Sequence, residues 1–322
     1  MSEPVLEILG LKTQFRTRRG VVKAVDGLDV ALHPGETFGL VGESGCGKSV
    51  TALSILRLLP RPAGRIAAGR ILFQGSDLTA VSEAEIRRIR GNRISMIFQE
   101  PMTSLNPVYT IGFQIEEVLR RHRGMRRADA RVEAAGVLGR VGMPDPAARL
   151  DDYPHQLSGG MRQRAMIAMA LACRPVLMIA DEPTTALDVT IQAQILDLIA
   201  RLKEEIAMAV LLITHDLGVV AEICRNVAVM YAGKIVELAA VDAIFSRPAH
   251  PYTVGLFNSL PGAGGREGGL KPIPGAVPSL ASLPPGCAFQ DRCFRRHAAC
   301  GAEPPWQPIA PGHFARCWKP LV

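Results

Sequence analysis

A chain of 322 residues is long enough to bury a sizeable core as one large domain with a smaller attachment. At 48% apolar and 21% charged it has an ordinary globular composition. It lacks both a run of about 18 apolar residues and a basic-then-apolar N-terminal stretch, so neither a membrane span nor a secretory signal is expected. The formal charge of +7 suits nucleotide, an acidic membrane face or nucleic acid alike. Part of it lies in Arg120-Arg121-His122-Arg123 and Arg126-Arg127, read as a solvated basic face with phospholipid contact as the alternative.

In chain order, residues 5–41 alternate short apolar runs with turn signals at Arg19-Gly20 and His33-Pro34-Gly35. This predicts a small sheet leading into a buried strand, Thr37 to Val41. Helical spacing runs from Lys48 to Leu59 and stops at Pro60. Ile94 to Phe98 reads as a buried strand. Residues 110–157 read mostly as helices, with breaks at Arg123-Gly124 and around Pro144 to Pro146. A helix is expected from Gly159 to Cys173, a strand from Val176 to Ala180, a helix from Ile191 to Glu205 and a strand from Val210 to Thr214. Strands alternating with helices imply a parallel sheet covered on both faces, with residues 110–157 as a helical subdomain beside it. From about residue 246 the character changes. Half of residues 261–286 are Pro or Gly, which reads as an extended connection to a small irregular C-terminal appendage.

Three motifs carry chemistry. Gly42-Glu43-Ser44-Gly45-Cys46-Gly47-Lys48-Ser49 fits G-x-x-x-x-G-K-[ST] after a predicted strand and before a predicted helix. Its backbone N–H groups, at Gly42 and from Ser44, Gly45, Cys46 and Gly47 through Lys48, Ser49 and Val50, would turn onto phosphates at a helix N-terminus. Lys48 would reach the β- and γ-phosphates, and the Ser49 hydroxyl would bind Mg²⁺. The apolar strand ending in Asp181-Glu182 delivers two carboxylates to a C-terminal sheet edge. There Asp181 would hold Mg²⁺ through water, and Glu182 would polarise the water attacking the γ-phosphate. Leu157-Ser158-Gly159-Gly160-Met161 opens a second such helix, with two glycines. Each costs about 1 kcal/mol of helix propensity, which points to close approach by an anion.

These motifs, with Gln99 after a strand, Ala186-Leu187-Asp188 and His215, occur in the order that resembles the ATP-binding cassette (ABC) ATPases over roughly residues 5–245. The resemblance implies an α/β fold of the ABC-type P-loop NTPases: a mostly parallel sheet with flanking helices, a small antiparallel β subdomain and an inserted helical subdomain at about 100–158. It also implies a head-to-tail dimer in which each ATP touches the phosphate loop of one subunit and Ser158, Gly159 and Gly160, or their equivalents, of the other. Gln99 would then sense the γ-phosphate and Mg²⁺, His215 would contact the γ-phosphate, and Phe15 would stack on adenine. Phe98 to Pro107, Asp181 to Thr190 and His250-Pro251-Tyr252-Thr253 resemble the ATP-binding subunits of bacterial dipeptide and oligopeptide importers, in particular the D-type component. That implies 1–245 as the nucleotide-binding domain and 246–322 as an importer-type extension. The implied partners are a different, F-type ATPase chain, two transmembrane permease subunits and an extracytoplasmic binding protein, with no nucleic acid. The implied location is the cytoplasmic face of the inner membrane. Nickel and glutathione importers share the subfamily; soluble ABC ATPases acting on nucleic acid are the rival class.

Four of the seven cysteines fall in the last 36 residues: Cys287, Cys293, Cys300 and Cys317. Four thiolates can hold [4Fe–4S] or tetrahedral Zn²⁺, and spacings of five, six and sixteen intervening residues match neither pattern. The resemblance of the tail to peptide-importer ATPases implies the iron–sulfur cluster; zinc and metal-free structural thiols are the alternatives. Cys173 and Cys224 read as small buried apolar residues.

Overall fold

The computed structural model describes residues 3–18, 20–99, 104–185, 188–259 and 272–321. The expected features at Arg19, at Glu100 to Thr103, at Ala186-Leu187 and in the first part of the Pro/Gly-rich connection lie outside them. The strands, in chain order, are β1 (Leu6–Thr17), β2 (Gly20–Leu32), β3 (Thr37–Val41), β4 (Gly64–Phe73), β5 (Ser76–Asp77), β6 (Ile94–Ile97), β7 (Leu177–Asp181), β8 (Ala209–Thr214), β9 (Asn226–Tyr231), β10 (Lys234–Ala240), β11 (Trp306–Ala310) and β12 (His313–Arg316). The chain forms two compact units. The first gathers the described residues of 1–5, 32–36 and 80–212; the second gathers those of 6–31, 37–79 and 213–322.

In the first unit β6 and β7 pair in parallel, from Ile94↔Leu177 to Ile97↔Ala180. Every residue of β7 is buried, as a strand covered on both faces requires. Beside them pack the helices Ile111–Arg123, Arg127–Arg140 and Gly159–Leu171. Their apolar faces bring together Ile111, Ile115, Leu119, Ala130, Ala134, Val137 and Leu138. Thr110 caps the first of these helices by accepting from Phe113 N at 3.2 Å, and Gly124 closes it at φ 64°, as the Arg123-Gly124 break predicts. Asp188 caps Val189–Ile206 through Ile191 N at 2.9 Å.

In the second unit a four-stranded sheet runs in the order β2-β1-β4-β5, with β1 and β4 antiparallel. A further ladder runs β11-β12-β10-β9-β3. Within it β3 and β9 are parallel, and the pairs from β9 onward to β11 are antiparallel. The sequence reading assigns no element to β4, β9, β10 or the β11–β12 hairpin, nor to the helix Glu83–Ile89 with its Ser82/Glu85 capping box. The helix starting at Lys48 ends at Ile55 rather than Leu59; Arg57 adopts φ 52° and turns the chain before Pro60. The strand expected to reach Phe98 stops at Ile97, and Phe98 is 39% exposed.

The C-terminal residues do not lack a core. Phe289 packs into a buried cluster with Tyr231, Tyr252, Val229 and Ile244, its ring 5.2 Å from Tyr231 and 5.3 Å from Tyr252. His250 lies fully inside this region, and its Nδ1 accepts from Tyr252 N at 3.0 Å. Burial pushes its pKa down from 6.5 to about 3. The unfolded chain therefore takes up this proton first, so stability is lost as pH falls from about 6.5 towards 3 and is complete above 6.5. The expected result is a thermal midpoint that drops over this window in the unsubstituted chain. It should drop less in His250→Asn, which keeps a helix-capping acceptor; equal slopes would refute the assignment to His250.

Candidate functional site

The phosphate loop belongs to the second unit and follows β3, all five residues of which are buried. Two glycines fix its path. At Gly42 (φ 152°) a Cβ would lie 2.2 Å from Met230 O, and at Gly47 (φ 111°) it would lie 2.3 Å from Ala24 O. No other residue fits either place without moving backbone. Gly47 opens the helix Lys48–Ile55 without a side-chain cap, unlike Thr110, Ser158 and Asp188, which cap theirs. Such an end presents backbone donors and positive helix-end potential to an anion. Lys48 is 5% exposed and its ammonium donates to Gly42 O at 2.7 Å and Glu43 O at 3.0 Å. It thus arches back over the loop. Cys46 is buried, its N–H donating to Glu43 O at 3.4 Å and its carbonyl accepting from Gly233 N at 2.9 Å; burial raises its thiol pKa. Ser44 and Gly45 form the exposed crown, with Ser49 and Val50 half-buried behind it.

Also in the second unit, Phe15 sits on β1 opposite Gly64. A Cβ at Gly64 would meet the Phe15 ring at 2.8 Å, so the half-buried ring packs closely against that strand. His215 is exposed, immediately after β8.

The first unit holds the other set. Asp181, 4% exposed, ends β7, and Glu182 follows at φ 48°. A non-glycine residue in the left-handed region costs about 1 kcal/mol or more, a strain typical of functional positions. Glu182 Oε2 accepts from Gln99 Nε2 at 3.0 Å and from Thr185 Oγ1 at 2.9 Å. The carboxylate is thereby held from two sides, one of them the residue expected to report on the γ-phosphate. Ser158 caps the helix Gly159–Leu171, accepting from Met161 N at 3.3 Å. Around Gly159 the space that a Cβ would occupy is open, so the glycine there meets no packing demand from its own chain. Gln163, on the same helix and buried, donates to Pro183 O. It ties the Ser-Gly-Gly helix to the turn that carries Glu182. Sequence reasoning singled out neither Gln163 nor Thr185; spacing from Ser158 and Glu182 is the only signal that could have.

The C-terminal cysteines need a correction. Among the described residues no three His, Cys, Asp or Glu side chains come together in a way that could hold a metal ion. Neither the iron–sulfur cluster nor zinc is supported. Burial pushes the Cys287 thiol up to about 11 and raises Cys293 and Cys317, which disfavours the thiolate form. Cys287 N donates to Cys300 O at 2.9 Å, and Cys287 and Cys293 pack against the Tyr231–Phe289 cluster. They act as small apolar residues. That cluster supplies the tail with a core of its own.

Comparison with known proteins bears on the whole chain. Residues 25–185 match the family model described as ABC transporter, and residues 236–300 match that described as oligopeptide/dipeptide transporter, C-terminal region. A Brucella melitensis protein named as a peptide import ATP-binding protein is 57% identical, covering 99% of this chain and 99% of its own length. The chain belongs to the ABC transporter family. The dipeptide transport ATP-binding protein DppD of Bacillus subtilis is 52% identical, covering 98% of this chain and 95% of its own length. Among solved structures, an ATP-binding cassette dimer in a post-hydrolysis state bound to ADP and Pi is similar with a TM-score of 0.66 and 26% identity, over 73% of this chain and 98% of that one. The ABC ATPase cassette fold expected from the motif order is therefore the fold observed.

Proposed function

We infer that this ABC protein is the ATP-hydrolysing subunit of a peptide importer. The observation that carries the reading is the second family match, over residues 236–300, to the oligopeptide/dipeptide transporter C-terminal region. It adds a transport class to the cassette, and the peptide-import and dipeptide-transport names of the relatives agree with it. We take 1–245 as the cassette and 246–322 as the extension.

The loop fits a triphosphate, because its two fixed glycines leave backbone donors at an uncapped helix end. In this reading the N–H groups of Gly42 and of Ser44 to Val50, with the Lys48 ammonium, hold the phosphates, Phe15 stacks on adenine and His215 contacts the γ-phosphate. Ser49, Gln99 and buried Asp181 are the residues that would hold Mg²⁺, which when bound offsets charge on the phosphates. Glu182, fixed by Gln99 and Thr185, accepts the proton of the attacking water. Ser158, Gly159 and Gly160 face the ATP of a second cassette. Hydrolysis at the closed pair then resets the transporter.

Among the described residues no helix is long and apolar enough to cross a membrane. Passage across the bilayer then falls to partners: a permease pair, a second ATPase chain of F type and an extracytoplasmic binding protein, with this subunit on the cytoplasmic face of the inner membrane. The stacked, part-exposed Tyr109 and Phe113, 4.5 Å apart, offer an apolar contact to such a partner. The substrate is tested by the ATPase rate of the reconstituted transporter with its binding protein present. Di- and oligopeptides should raise the rate; stimulation by nickel or glutathione and not by peptide would overturn the peptide assignment.

A further inference from the structure

The C-terminal residues reach the phosphate loop itself. Arg292 donates through Nη1 to Glu43 Oε2 at 2.7 Å and through Nη2 to Glu43 Oε1 at 2.9 Å, a two-pronged pairing of guanidinium and carboxylate. The Arg292 side chain is only 6% exposed. Its Nε donates to Pro274 O at 3.0 Å, Nη1 also approaches Tyr231 Oη at 3.4 Å, and its guanidinium carbon lies 5.9 Å from the Tyr231 and Phe289 ring centres. Three residues, Pro274, Tyr231 and Phe289, thus hold the cation before it meets the loop. Glu43 is gripped a second time, since its backbone N–H donates to the hydroxyl of fully buried Tyr252 at 2.9 Å. On its far side Glu43 O accepts from Lys48 Nζ. One residue thus joins the extension to the lysine that faces phosphate.

The loop motif leaves the position of Glu43 open, so phosphate binding does not itself call for an acid there. A free carboxylate beside a triphosphate would repel it and weaken binding. Arg292 cancels that charge and fixes its direction. We propose that Arg292, with Tyr252, is a positioning residue for nucleotide binding: the C-terminal extension sets ATP affinity by neutralising and holding Glu43 in the phosphate loop. This rests on the reading of Gly42 to Ser49 as the ATP site.

The test uses the full-length chain and measures calorimetric Kd for Mg·ATP together with kcat and KM. Arg292→Ala, which frees the acid, should raise Kd and KM about tenfold, with kcat within about threefold of the unsubstituted chain. Arg292→Lys keeps the charge and loses the planar fork, and should raise them about threefold. In the double variant Glu43→Ala/Arg292→Ala no carboxylate is left unpaired, and Kd should return to within about threefold of the starting value. A purely structural role predicts the opposite, a double variant at least as weak as Arg292→Ala, and that result would overturn the proposal. So would an unchanged Kd in Arg292→Ala. If Arg292→Ala does not fold, an unchanged Kd in Arg292→Lys overturns it equally. Lys48→Ala separates the two readings. If it loses ATP binding while both Arg292 variants keep it, only the clamp falls; if it binds ATP as well as the unsubstituted chain, the site reading falls first.

Discussion

Glu182→Gln is expected to keep ATP binding and to lose ATP turnover by roughly 10²–10⁴-fold, the range that a positioned general base supplies. The substitution is isosteric, and an amide oxygen can still accept from Gln99 Nε2 and Thr185 Oγ1, which now hold the carboxylate. Lost activity would therefore report lost basicity and not a collapsed loop. The left-handed backbone at Glu182, φ 48°, is unchanged by the exchange, so the strain is common to both proteins. Steady-state phosphate release and equilibrium ATP binding, measured side by side, check this. Retention of more than about a tenth of the turnover would overturn the role given to Glu182.

The second large effect is expected at Lys48. Its ammonium is buried and bonded to two loop carbonyls, Gly42 O and Glu43 O. A phosphate entering the loop offers the same donor a charged acceptor. Removing a charged hydrogen-bond partner costs about 1.5–3 kcal/mol, roughly 10- to 150-fold in Kd. Lys48→Ala should lose ATP affinity by that factor in calorimetric titration. It also deletes two contacts that brace the loop, so a lower melting point is expected alongside. Affinity within twofold of the starting protein would contradict the placement of phosphate at this loop.

The parts of the fold that sequence exposed are those with one dominant signal. β3, β7 and β8 are short, mostly apolar, buried throughout and bounded by turn residues, and each lies within two residues of its expected bounds. β9 and β10 are just as buried along much of their length. They stayed hidden because two apolar runs separated by Ala232-Gly233 follow a helix too short to show a period. β4 carries Gly64, Gly69 and several exposed residues, so its alternation is broken. In the site, the glycines, Lys48, Asp181 and Glu182 were legible because phosphate chemistry demands those residue types at fixed spacing. Arg292 was not, since its partner Glu43 lies 249 positions away and no local pattern marks the pair. The cysteines misled for the reverse reason. Four thiols near one another in sequence suggest a ligand set, yet Cys287 and Cys293 pack against the Tyr231–Phe289 cluster, and no metal-holding group forms among the described residues.

The central claim is that ATP hydrolysis at this subunit drives peptide across a membrane. It is tested most directly by uptake of labelled di- and oligopeptides into proteoliposomes carrying the permease pair, the second ATPase chain and the binding protein, with ATP on the side of this subunit. The account predicts accumulation that requires ATP, is lost in Glu182→Gln and does not occur with ADP. Accumulation that persists without ATP or with Glu182→Gln, or ATP turnover with no peptide movement, would contradict it.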